Sequence, residues 1–168
     1  MQFVTAKANM LEEINEIYVK CREDLIKHHI YQWDDQYRNM DYFRECIENK
    51  TLFVLMEEEK MVGHVVLNEW QTAEWHVIPW KGNKPLVIHS FMIEPSYQGK
   101  GTGTYFVDYM ETYALARGYD SIRLDAYSGN AQALHLYKKR GYLEKGEIFF
   151  KSKPKGHQKY LCMEKVLK

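Results

Sequence analysis

Gly99, Gly101 and Gly103 alternate within the stretch Gln98-Gly99-Lys100-Gly101-Thr102-Gly103-Thr104. Without a Cβ, the backbone can approach a ligand closely and take conformations that other residues resist. The apolar run Pro85–Ile93 leads into these glycines, and a helical pattern leads out of them. The first amides of that helix have no intrahelical acceptor and its dipole is positive there, so the stretch reads as a cradle for an anion, with phosphate the natural guest. Two familiar phosphate motifs do not fit. In G-x-G-x-x-G the last position falls on Thr104 or Phe106, and G-x-x-x-x-G-K-[ST] occurs nowhere in the chain. Hydride transfer and ATP hydrolysis therefore lack their usual sequence support.

Groups able to move protons lie on both sides of the cradle. Downstream are Asp125 and Tyr137, with Asn130 between them in the chain; a positioned carboxylate can remove a proton and a positioned phenol can give one. From spacing alone, Tyr137 shares the inner face of a helix with Leu134, and Asn130 caps that helix. Upstream, Glu69, Glu74 and His76 stand among Trp70, Trp75 and Trp80, whose five-residue spacing fits neither a helix face nor a strand face. Those indoles suit a substrate wall or a cap on the core, and both readings stay open. His89 has the unperturbed pKa of a base but equally suits a packed, hydrogen-bonded place on its strand. His64, in another apolar run, reads as structural. Lys151, Lys153, Lys155 and Lys159 could attract a far phosphate or an acidic acceptor, though such a run reads first as a solvated hairpin loop.

These groups need elements to position them. Residues 2–6 are β-prone, and Asn9 with Glu12 has capping-box spacing, which predicts a helix from Asn9 to about Lys27. Leu11, Ile14, Ile17, Tyr18, Cys21 and Leu25 share its inner face. Met40, Phe43 and Ile47 predict a second helix, and the apolar runs 51–56 and 61–67 predict a hairpin of buried strands. Pro85–Ile93 reads as a central strand covered on both faces. Phe106, Met110, Tyr113 and Ala114 predict a helix that stops at Gly118. Residues 121–126 form a strand pattern with Arg123 and Asp125 on one face. Strand, helix, strand in this order predicts a right-handed crossover and a parallel pair. A helix over 131–140 and two strands over 144–150 and 160–166 complete the chain.

A length of 168 residues with 45% hydrophobic content fits one domain over residues 1–168 with a proper core. Twenty-three basic residues balance 23 acidic ones, which removes the electrostatic argument for a nucleic-acid or membrane partner. Cys21, Cys46 and Cys162 are odd in number and lack C-x-x-C spacing, so neither a disulfide framework nor a metal site is indicated, and a reducing cytoplasm suits them. The amino-terminal residues lack the apolar segment of a signal peptide, and no run approaches a membrane span.

Taken together, these residues resemble the GNAT superfamily of N-acetyltransferases. The family's cofactor motif [Q/R]-x-x-G-x-[G/A] stands here as Gln98-Gly99-Lys100-Gly101-Thr102-Gly103, after a strand ending Met92-Ile93-Glu94-Pro95. Its N-x-x-A-x-x-x-Y-x-x-x-G-[FY] signature is matched by Asn130, Ala133, Tyr137, Gly141 and Tyr142. The resemblance implies an α/β (α+β) fold, with a mixed, mostly antiparallel central sheet, a parallel pair at the cofactor cleft and about four flanking helices. It implies acetyl-CoA as co-substrate, the backbone of Phe91, Met92 and Ile93 on the pantetheine arm, the amides from Gln98 to Thr104 on the pyrophosphate, and Asn130 in contact with the cofactor. Tyr137 matches the family's general acid. Asp125 is placed to be the base, with Glu69, Glu74, His89 or water as competitors. The acceptor would be a primary amine of a small molecule or peptide. Trp33, Asp34, Asp35 and the Trp70 to Trp80 loop would stand on its side, where aromatic walls with carboxylates suit a cation. A homodimer is compatible with this reading, and a non-catalytic acyl-CoA-binding module is its alternative.

Overall fold

The computed structural model describes residues 1–33 and 40–167. Asp34 and Asp35 lie outside the described residues. Among the described residues, seven strands form one mixed sheet: β1 (Gln2–Thr5), β2 (Leu52–Glu57), β3 (Lys60–Asn68), β4 (Pro85–Ile93), β5 (Ser121–Tyr127), β6 (Leu143–Phe149) and β7 (Lys159–Val166). Their order is β1-β2-β3-β4-β5-β7-β6. The sheet is mostly antiparallel, and its parallel pair is β4 with β5, in the register Pro85↔Ser121 to Val87↔Arg123. Among the described residues four helices accompany it: α1 (Leu11–Lys27), α2 (Met40–Glu48), α3 (Thr102–Ala116) and α4 (Ala131–Lys139). The expected mixed sheet, its parallel pair and the four helices are all present.

The chain divides into two compact units. The first comprises Met1–Leu67 and His89–Phe106. Its core forms where Ile14, Ile17, Tyr18 and Cys21, spaced by three and four along α1, meet Phe43 of α2 and Leu52 and Val54 of β2. α1 does not start as the capping-box spacing suggests. A 3-10 turn, Ala8–Met10, precedes it, closed by the Met10 N–H on the Lys7 carbonyl at 2.9 Å. Asn9 is inside that turn and Met10 takes the cap position, so Asn9 does not cap α1.

The second unit comprises Asn68–Ile88 and Val107–Lys168. Its strands β5 and β7 pair along their full length, from Ser121↔Val166 to Tyr127↔Tyr160, and β6 pairs β7 on the far side. Ile122, Leu124, Met110 and Met163 are buried there. Gly118 and Gly141 follow the ends of α3 and α4 with φ of +81° and +89°, as their positions predicted. Among the described residues, no helix is long and apolar enough to cross a membrane.

Candidate active site

The glycine stretch expected to cradle an anion belongs to the first unit. Gly99 and Gly101 hold φ of +74° and +81°, and a Cβ on either would meet nothing within 4 Å. Backbone conformation, not crowding, therefore selects glycine at both positions. The first main-chain bond of the following helix runs from the Tyr105 N–H to the Gly101 carbonyl at 3.2 Å. The amides of Thr102, Gly103 and Thr104 precede that bond and are not used by the helix ladder. Open glycines followed by unused amides fit a phosphate group.

Several contacts fix the strand end beside the cradle. The Ile93 carbonyl accepts from the side-chain amide of Gln98 at 2.9 Å and from the Cys21 thiol at 3.2 Å. Burial, aided by the charges of Glu94 and Asp24, pushes that thiol up to about 12, so it remains a protonated donor. The Glu94 side chain accepts from the Ser96 N–H at 2.8 Å and caps the 3-10 turn Pro95–Tyr97, which leads into the glycines. On the inner side, the Glu94 N–H bonds the Val62 carbonyl of β3 at 2.9 Å. A Cβ at Gly63 would fall 2.5 Å from the Met92 carbonyl and 2.9 Å from the Phe106 ring. A side chain there would push β4 away from β3, which explains a glycine in a buried strand. Ser90, one residue before Phe91, has φ +50°, so the strand is locally re-aimed just ahead of Phe91, Met92 and Ile93.

Asp125 and Tyr137, the residues expected to move protons, belong to the second unit. Asp125 projects from β5, opposite Cys162 of β7, and accepts from the indole N–H of Trp75 at 2.9 Å. Tyr137, on α4, is 6% exposed. Burial first, and then the Asp125 carboxylate, hold its hydroxyl well above the ordinary phenol range. The same carboxylate adds to burial in pushing the Cys162 thiol up to about 12. Asp125 and Tyr137 are thus electrostatically coupled. Asn130 caps α4, its Oδ1 accepting from the Ala133 N–H at 3.1 Å, as its spacing predicted.

The other candidate bases are Glu69, Glu74 and His89. Glu69 accepts from the Tyr119 hydroxyl at 2.9 Å, and Glu74 accepts from the Thr72 hydroxyl at 3.1 Å. His89 is half-buried on β4, in the first unit. In the same unit Trp33 packs on Tyr18 with ring centroids 6.0 Å apart. The three indoles of the loop differ. Trp70 is 64% exposed, whereas Trp75 is buried and Trp80 packs on it at 4.9 Å. That loop is tied down by groups the spacing did not reveal. Arg123 donates to Glu164 at 3.1 Å, to the Gln71 side chain at 3.2 Å and to the Gly82 carbonyl at 2.6 Å, beneath the Trp80 ring. Glu164 also accepts the amides of Lys81 and Gly82. The sole sequence signal for this anchor was a charged residue in each of two apolar strands. The lysine stretch forms the expected hairpin loop, except that Lys153 is buried in it.

The acetyltransferase (GNAT) family model matches residues 11–142 of the chain. No curated protein sequence matches it. Among solved structures, a GNAT-family acetyltransferase from Streptococcus agalactiae 2603 is 18% identical, with a TM-score of 0.82 over 98% of this chain and 94% of that one. A structure from Staphylococcus aureus Mu50, described as an acetyltransferase, is 24% identical, with a TM-score of 0.75 over the whole of both chains. A third, from Salmonella typhimurium, also described as an acetyltransferase and solved with its cofactor acetyl-CoA, is 18% identical, with a TM-score of 0.75 over 100% of this chain and 94% of that one. At these identities the likeness is one of fold.

Proposed function

The chain belongs to the acetyltransferase (GNAT) family, and from that premise we propose that it is a cytoplasmic N-acetyltransferase, moving the acetyl group of acetyl-CoA to a primary amine by direct attack. The observation that carries the reading is the buried Tyr137 hydroxyl, kept protonated beside the Asp125 carboxylate. When bound, acetyl-CoA supplies an activated thioester. The amides of Thr102, Gly103 and Thr104, with those of Gln98, Gly99, Lys100 and Gly101, take its pyrophosphate. The re-aimed backbone at Phe91, Met92 and Ile93 takes the pantetheine arm, and Asn130 adds a polar contact beside its capping role.

Asp125 removes a proton from the amine, which at pH 7 is mostly protonated with a lysine-like pKa of about 10.4. Tyr137 donates to the departing sulfur. The two steps assist each other. While Asp125 is charged, it opposes loss of the Tyr137 proton; once it has accepted a proton, that opposition is gone and the phenol becomes a stronger acid. Three buried thiols outside any disulfide support a reducing compartment.

The test is release of CoA thiol from acetyl-CoA across polyamines, amino acids, aminoglycosides and peptides with a free α-amine. Acceptor-dependent release supports transfer. Tight CoA binding with no release from any amine would instead mark a non-catalytic acyl-CoA-binding module.

A further inference from the structure

We propose that Trp75 is a positioning residue for the reaction: its indole N–H holds the Asp125 carboxylate in one orientation and in its ionised form. The inference rests on the reading of Asp125 as base. Three observations converge on it. The indole N–H meets Asp125 Oδ2 at 2.9 Å, and Trp75 is 3% exposed, so water cannot readily replace the bond. Trp75 is itself fixed, because Trp80 donates from its own indole to the Trp75 carbonyl at 3.3 Å and packs on its ring. Trp80 in turn stacks on Arg123, 4.7 Å from ring centroid to guanidinium carbon, and Arg123 is bound to Glu164. The loop that carries no periodicity in sequence therefore delivers one donor to one carboxylate.

Asp125 has titratable neighbours among the described residues. Tyr137 of α4 and Cys162 of β7 feel its charge, and both remain neutral. Arg123, two residues back on the same strand face, is engaged by Glu164. Glu74 and His76, in the 3-10 turn that carries Trp75, bond Thr72 and the Ala73 carbonyl. Trp75 is a neutral donor to Asp125, and such a bond favours the charged carboxylate.

The test follows the Asp125 carboxyl carbon by NMR titration in the full chain, assigned with Asp125→Asn. In Trp75→Phe, which keeps an aromatic ring but loses the donor, the Asp125 pKa rises by about one unit. An unchanged value overturns the proposal. A second reading needs only the wild type and Asp125→Asn: the Trp75 indole 1H–15N resonance moves with pH at the Asp125 titration and shifts in that variant. A resonance insensitive to both also overturns it. Thiol release by Asp125→Asn separates the two layers, since activity near wild type would remove Asp125 as base while leaving the measured Trp75 coupling intact.

Discussion

The side-chain amide of Gln98 donates to the carbonyl of Ile93 at 2.9 Å, so the loop carrying Gly99 and Gly101 is tied back to the end of the strand before it. The tie costs little to keep, because Ile93 and Gln98 are joined by only the short 3-10 turn Pro95–Tyr97. In Gln98→Leu the bond is lost and the glycine loop gains freedom it must give up on binding. A hydrogen bond of this kind contributes about 1 kcal/mol. CoA affinity is expected to fall by roughly five- to tenfold, read by calorimetry, with the chemical unfolding midpoint close to wild type.

His64 sets an acid limit on stability. It is wholly buried in β3, and its Nε2–H donates to the Ile14 carbonyl at 3.0 Å, so Nδ1 carries the lone pair and has no partner among the described residues. Burial lowers its pKa from 6.5 to about 4. The folded state thus refuses a proton that the unfolded state accepts. Stability is full above pH 6.5 and falls as pH drops from there towards 4, by about 3 kcal/mol in all. Urea unfolding at pH 7 and pH 4.5 measures this, and in His64→Gln most of that pH dependence disappears.

Arg123 and Glu164 form a buried pair whose side chains are 9% and 1% exposed. Burial alone would raise the Glu164 carboxyl, but the amides of Lys81 and Gly82 and the Arg123 guanidinium outweigh it and hold it below its usual range. Arg123→Met leaves that carboxylate buried without its cation and is expected to cost about 3 kcal/mol in urea unfolding. The double variant Arg123→Met with Glu164→Leu recovers much of this loss, since no buried charge remains.

Legibility in the sequence followed the range of the forces involved. The backbone turns at Gly99 and Gly101 were readable because these residues respond to local backbone demands, their positive φ, which neighbours in sequence reveal. Asn130 and the stops at Gly118 and Gly141 were readable for the same reason. The strands and helices followed from apolar spacing. What could not be read depends on contacts between distant residues. The bond from Trp75 to Asp125 spans 50 positions and that from Arg123 to Glu164 spans 41, and neither leaves a periodic trace. The Asn9 expectation failed for a local reason, since a 3-10 turn and an α-helix begin from similar residues and only the turn closing on Lys7 distinguishes them here. The left-handed conformation of Ser90 has no signature in its residue type.

The most direct test of the account is steady-state thiol release by Tyr137→Phe, using the amine that supports the fastest release by the wild type, with acetyl-CoA binding measured in parallel. Removing only the hydroxyl keeps the ring in its packed place against Tyr142, 5.7 Å away between centroids. The account predicts a fall in kcat of about 100-fold, the scale of a lost general acid, with acetyl-CoA affinity within about twofold of wild type. A kcat within about threefold of wild type would contradict it, because sulfur departure would then not need the Tyr137 proton.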